Sequence, residues 1–179
     1  MADELDWHAR VTVSDLPPGG KEYELVADES VREMLAGRAG VLAVPSLVAR
    51  LHVRPEGNAG VAVDGSLEAT VRQVCVVSLE PFDNRIEEKI SLRFVPPENL
   101  AAESPHVLEA GAEEPPEPLL DGKLDLASVV AEFLTLSVDP YPRRPGAVFS
   151  PPATGDRENE SSAFAALAKL KLDTDVKKQ

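Results

Sequence analysis

The chain has 179 residues, a formal net charge of −13 and a single cysteine. That length suits one domain of ordinary size with appendages, and one thiol excludes both an internal disulfide and a zinc site built mainly of thiolates. So acidic a chain is repelled by bulk nucleic acid, so any RNA contact requires a local basic patch.

The hydrophobic share of 43% is enough for a core, but aromatic residues make up only 4%. The core is expected to be Val, Leu and Ala, with few rings for stacking bases. Charge is uneven. Residues 1–100 hold 10 basic and 17 acidic side chains, 101–122 hold none and 6, and 123–179 hold 8 and 8. The start, MADELDWHAR, has no apolar run of signal-peptide length. No stretch reaches the ~20 apolar residues of a membrane span. The expectation is a soluble cytoplasmic protein without membrane contact.

WHARVTV (7–13) has strand-like content and ends in the turn signal SDLPPGG. EYELVA (22–27) alternates and predicts a second strand. In DESVREMLAG, Ser30 and Glu33 fit a capping box, with Val31, Met34 and Leu35 on one helical face. Gly37 and Gly40 are expected to end that helix. SLVARLHVR (46–54) puts Leu47, Ala49, Leu51 and Val53 on one face and Val48, Arg50, His52 and Arg54 on the other. The run 61–77 predicts a long strand with a bulge or bend at Gly65. Leu67, Ala69, Val71, Gln73, Cys75 and Val77 share one of its faces. RIEEKISLRFV (85–95) turns Ile86, Ile90, Leu92 and Phe94 inward.

Residues 97–118 are rich in Pro and Glu and predict a flexible, solvated connection. Asp125 can cap a following helix, with Leu126, Val129, Val130, Phe133 and Leu136 on one apolar face. Residues 150–161 predict disorder, and SAFAALAKLKL a short amphipathic element. The fold class is α+β, an antiparallel β-meander with a few packed helices. Residues 1–96 form the sheet with one helix, 119–149 complete the same domain, and 150–179 form a mobile tail.

Few residues point to chemistry. Cys75 shares a face with leucine and valine, so it is expected to pack as a small buried hydrophobe. His8, His52 and His106 share no ligand spacing. No nucleophile elbow, phosphate loop, HExxH or dinucleotide fingerprint is present. The outward row Arg50, His52, Arg54, joined by Arg72, has two readings. It is either an ordinary sheet surface with cross-strand ion pairs to residues such as Glu68, or a cationic patch for phosphate or an acidic partner. The tail residues Phe164, Leu167, Leu170 and Lys171 dock either on the protein's own core or in a partner's groove. No catalytic residue, metal ligand or cofactor is assigned.

The order CVVSLEPF, then ISLRF, then an acidic gap, then DGKLDLASVVAEFLTLSVDPYPRRP, then AFAALAKLKL resembles the YceD-like family, the large ribosomal RNA subunit accumulation proteins. The matching motif positions are Cys75, Leu79, Glu80, Pro81 and Phe82. The terminal match is Ala163, Phe164, Leu167, Leu170 and Lys171. Family members often carry a second cysteine at the position of Ser78 and further cysteines after the second helix, and some were called metal-binding on that ground. Here those cysteines are missing, so the metal is not carried over.

The resemblance implies a non-enzymatic factor in synthesis, processing or stability of large-subunit ribosomal RNA, acting by binding. Its partner would be the large-subunit precursor, through RNA or a basic ribosomal protein. Two other readings stay open: a protein adapter without an RNA role, and a hydrolase whose site is invisible in sequence. A monomer is favoured, with the oligomeric state open.

Overall fold

Alternating apolar residues build three long neighbouring strands, β3 (Ala43–Glu56), β4 (Gly60–Val74) and β5 (Pro81–Val95). In this computed structural model, residues 7–57, 59–103 and 115–149 are described. The chain divides into two units, Met1–Pro145 and Gly146–Gln179. All strands and helices of the described residues lie in the first.

β2 (Lys21–Val26) pairs with β3, and the sheet runs β2-β3-β4-β5-β6. Its first four strands form the expected antiparallel meander. One edge departs from it. The two-residue β6 (Glu117–Pro118) joins β5 in parallel. β1 (Arg10–Thr12) stays out of this sheet and pairs with β7 (Lys123–Asp125). The connection expected to be flexible over 97–118 contains both β6 and α2 (Pro97–Glu103).

One sheet face makes the core. Leu47, Ala49, Leu51 and Val53 are at most 1% exposed, and Leu67, Val71, Ile86, Ile90 and Phe94 are buried with them. Burying one such leucine is worth about 2 kcal/mol. Helices α1 (Glu29–Ala39) and α3 (Leu126–Ser137) supply Val31, Leu35, Leu126, Val130 and Leu134 to the same cluster. Leu136, expected on that apolar face, is instead exposed. At about 100° per residue the buried row is 126, 130 and 134, and position 136 falls outside it.

Local chemistry sets the boundaries. The cap of α1 is Asp28, two residues before the expected Ser30. Its carboxylate accepts the Val31 N–H at 2.9 Å and the Ser30 hydroxyl at 2.8 Å. These bonds, the Val31 amide first, hold the Asp28 carboxyl below its usual range. The helix ends at Gly40, whose φ of 67° is left-handed, while Gly37 lies inside it. Gly65 is no bulge, because pairing continues through it on both sides. It answers to crowding instead: a Cβ there would lie 2.1 Å from the Arg50 carbonyl oxygen.

Asp125 caps α3 as expected, accepting the Ala127 N–H at 3.1 Å. It also accepts the Ala9 N–H at 2.9 Å and meets His8 Nδ1 at 2.6 Å. Burial alone would raise the Asp125 pKa. The two amides and His8 outweigh that and hold it low. One side chain therefore ties the N-terminal strand to the start of α3.

Candidate functional site

Two places bring the candidate residues together. The first is the solvent face of the sheet. Register puts Glu24, Arg50, Ser66 and Lys89 in one row, and Glu22, His52, Asp64 and Ser91 in the next. Arg50 Nε donates to Glu24 at 3.0 Å, and its Nη1 lies 3.6 Å from Glu68. Arg54 lies 3.5 Å from Asp64 and 3.7 Å from Glu56. Arg72 grips Asp83 with two bonds, 2.7 and 3.0 Å. That bidentate pair raises the Arg72 pKa and lowers that of Asp83. Arg85 joins Glu68 and Glu87 at 3.3 and 2.7 Å.

His52 is engaged differently. Its Nε2 lies 3.1 Å from the Gly19 carbonyl oxygen. A carbonyl only accepts, so Nε2 carries the proton. The four residues picked out by alternation thus share the expected face, and each is already partnered. Their three arginines take part in the cross-strand ion pairs that alternation allows for.

The second place is the corner where β4 ends. The long strand is expected to reach Val77, with Cys75 on it, but the strand ends at Val74 and Cys75 opens a turn. The sulphur is 0% exposed, and its surroundings are polar. It accepts the backbone N–H of Ser78 at 3.4 Å and that of Arg144 at 3.3 Å. The Ser78 hydroxyl oxygen is buried close by and has no hydrogen-bond partner. That hydroxyl, then the Ser78 and Arg144 amides, lower the Cys75 pKa to about 6, against the smaller opposing effect of desolvation. Cys75 is buried as expected, but it sits in the turn and not on the strand, and two main-chain amides, those of Ser78 and Arg144, point at its sulphur.

The other motif positions complete the turn. Leu79 has a φ of 59°, and its N–H returns to the Cys75 carbonyl at 2.9 Å. The Glu80 carbonyl accepts the Cys75 N–H at 2.9 Å, and the Glu80 carboxylate pairs with Arg144 at 2.9 Å. Pro81 begins β5 opposite Val74, and Phe82 stands opposite Gln73. Val76 N–H reaches the Pro142 carbonyl at 2.9 Å, and Gln73 Nε2 donates to the Asp139 carbonyl at 2.8 Å. A cleft of about 550 Å³ lies alongside, lined by Leu42, Val74, Val76 and Val138 among others.

The metal that the resemblance associates with cysteine-rich relatives can be tested on this donor set. Cys75 contributes one thiolate, and the second knuckle position is Ser78. Among the described residues no three His, Cys, Asp or Glu side chains come together as a metal group. These residues do not fit a closed tetrahedral site, which needs four strong ligands.

Comparison with known proteins settles the lineage. A family model for the large ribosomal RNA subunit accumulation protein YceD matches residues 63–171. The chain belongs to the YceD family. No curated protein and no solved structure matches. The match begins in β4 and takes in the Cys75 turn, β5 and α3. The family's name carries a role in large-subunit ribosomal RNA accumulation. The tail positions Phe164, Leu167, Leu170 and Lys171 fall within the matched range but outside the described residues, as does His106. Among the described residues no helix is long and apolar enough to cross a membrane.

Sequence reasoning places the arginine row but misses Arg144, the residue whose amide and guanidinium both serve the corner. It lies 69 positions from Cys75. Its only signal is the dense run DPYPRRP directly after a helix.

Proposed function

We propose that the protein promotes large-subunit ribosomal RNA accumulation by binding, not by catalysis, and that its contact surface is the solvent face of the sheet around Arg50, His52, Arg54 and Arg72. The observation that carries this reading is the grid of ion pairs on that face. The cations are Arg50, Arg54, Arg72, Arg85, Lys89 and Arg93. The carboxylates are Glu22, Glu24, Glu56, Asp64, Glu68, Asp83 and Glu87. Six charges against seven leave no field to draw in bare phosphate. Exposed pairs of this kind are each worth about 0–1 kcal/mol, so a partner's own charges can replace them at little cost.

The long-range field of a −13 chain favours a basic partner. The reading is therefore a basic ribosomal protein on the large-subunit precursor, met in the cytoplasm. Electrostatic attraction would speed encounter, and added salt would slow it.

Gradient sedimentation of lysate tests this, with and without ribonuclease treatment. Co-migration with immature large subunits is expected. Binding that survives digestion of exposed RNA supports a protein partner, and binding lost on digestion assigns the contact to RNA. No co-migration at low salt overturns the reading. Replacing Arg50 and Arg54 together by Ser makes the face more acidic, so association with a basic partner should be kept or strengthened with the melting temperature nearly unchanged, and lost association would assign the contact to phosphate or another acidic group.

A further inference from the structure

The two sides of the meander end differently. β2 is six residues long, whereas β5 runs for 15. Among the described residues the outer side of β5 meets only β6, at Phe94 and Val95. From Pro81 to Leu92 no strand lies beside it. A long bare edge is a template for another strand.

Main-chain bonding fixes which groups face outward. The Cys75 N–H bonds to the Glu80 carbonyl on the β4 side, and the Leu119 N–H bonds to the Val95 carbonyl on the other side. Antiparallel pairing alternates residue by residue. Even-numbered residues of β5 therefore bond to β4, and odd-numbered ones turn their N–H and C=O groups to the edge. Those are Asp83, Arg85, Glu87, Lys89 and Ser91, and their side chains are exposed.

The charges from Asp83 to Lys89 on that row run negative, positive, negative, positive. Reading the strand backwards through Ile86 reverses every sign. A copy of β5 laid antiparallel, with Ile86 opposite Ile86, sets Asp83 against Lys89 and Arg85 against Glu87, and each pair occurs twice. Opposite charges directly across a ladder attract, and like charges repel. On the inner face the same register sets Phe82 against Ile90 and Asn84 against Glu88. Glu88 is an exposed charge between the buried Ile86 and Ile90, and an asparagine amide can donate to it. Other registers fit worse. Centring on Glu87 sets Arg85 against Lys89, and centring on Glu88 sets two carboxylates face to face.

We propose that β5 pairs with β5 of a second copy of this chain, antiparallel and centred on Ile86, to make one continuous sheet with two-fold symmetry. The axis stands perpendicular to the sheet, so the solvent faces of both copies lie on the same side. Arg85 already meets Glu68 and Glu87 of its own chain, and Asp83 meets Arg72. Exposed pairs of this kind exchange partners at little cost. The net charge of −13 on each copy opposes approach. At physiological salt, charges more than ~8 Å apart are largely screened, while side chains facing across a ladder stand ~5 Å apart. One strand makes a small interface, so the dimer is weak and forms with rising concentration. The monomer favoured on sequence grounds is then its dilute form.

The test is sedimentation equilibrium of the full chain at physiological salt, from micromolar to millimolar concentration, and it needs no ribosomal precursor. A dimer should grow in, and the Arg85 and Glu87 amides should gain exchange protection as it does. A monomer throughout overturns the proposal. Protection of those amides that ignores concentration also overturns it, since another segment of the same chain would then cover the edge. Charge reversal checks the register. Arg85→Glu and Glu87→Arg should each self-associate about tenfold more weakly than the native chain, because each creates two like-charged facing pairs. Mixing the two variants should restore association, because every facing pair of the mixed dimer is again opposite in sign. Native-like melting temperatures would show that both variants keep the fold. Variants that self-associate as the native chain does, or a mixture no stronger than either alone, would overturn the register.

Discussion

The two faces of the same three strands hold together by opposite means. On the inner face, Leu47, Leu51, Leu67 and Ile90 exclude water and need no particular partner atom. On the outer face, almost every contact is a named pair, such as Arg50 with Glu24 or Arg72 with Asp83. The inner contacts are few in kind and costly to lose. The outer ones are numerous, half-exposed and individually cheap. Stability and availability for binding are thus separated by the pleat: a residue and its neighbour in sequence serve different purposes.

Substitutions sharpen that contrast. Leu51→Ala should cost the most, about 4 kcal/mol, because a fully buried leucine leaves a cavity. Chemical denaturation would measure it, and a loss below that of any surface variant would break the contrast. Gly65→Ala should follow at about 3 kcal/mol, the top of the overpacking range, since its methyl would meet the Arg50 carbonyl. Asp125→Ala should cost about 1 kcal/mol for the lost cap. Its lowered pKa gives a stabilisation present at neutral pH and lost as acid titrates the carboxylate through its folded value, so the variant should show a shallower acid transition. Arg72→Ala should cost least even with its bidentate geometry, because the pair is exposed, and less still in high salt.

The contrast also explains how much can be read from the sequence. Alternation is a local signal, and by itself it marks the inner and outer residues of β3, β4 and β5. The antiparallel meander, the Asp125 cap and the α+β class are legible for the same reason. What is not legible depends on distant chain. β6 is two residues long, and β1 finds its partner near residue 125, so neither carries a pattern of its own. The Asp28 cap escapes because Ser30 matches the consensus equally well; the choice rests on which side chain accepts a first-turn amide, and it is Asp28 that accepts that of Val31. Alternation misplaces Cys75 on the strand because the valines around it continue the pattern. Its polar surroundings come from main-chain amides, which every residue but proline possesses and no motif records. The arginine row is legible as a row. Its partners on other strands become visible only with the register.

The Asp125 junction has a consequence for how the molecule is made. Asp125 and Ala9 are 116 positions apart, yet they share a hydrogen bond, and among the described residues β1 pairs with β7 alone. The hairpins of the large sheet close short loops, and their contacts are available as soon as each pair of strands has been synthesised. Closing the long loop costs more entropy, growing with the logarithm of its length. During synthesis the first strand must therefore wait until the chain has reached β7, just before α3. The meander is expected to assemble first and the junction last. Pulse-labelled amide exchange should show protection in β3 and β4 before β1, and simultaneous protection would contradict that order.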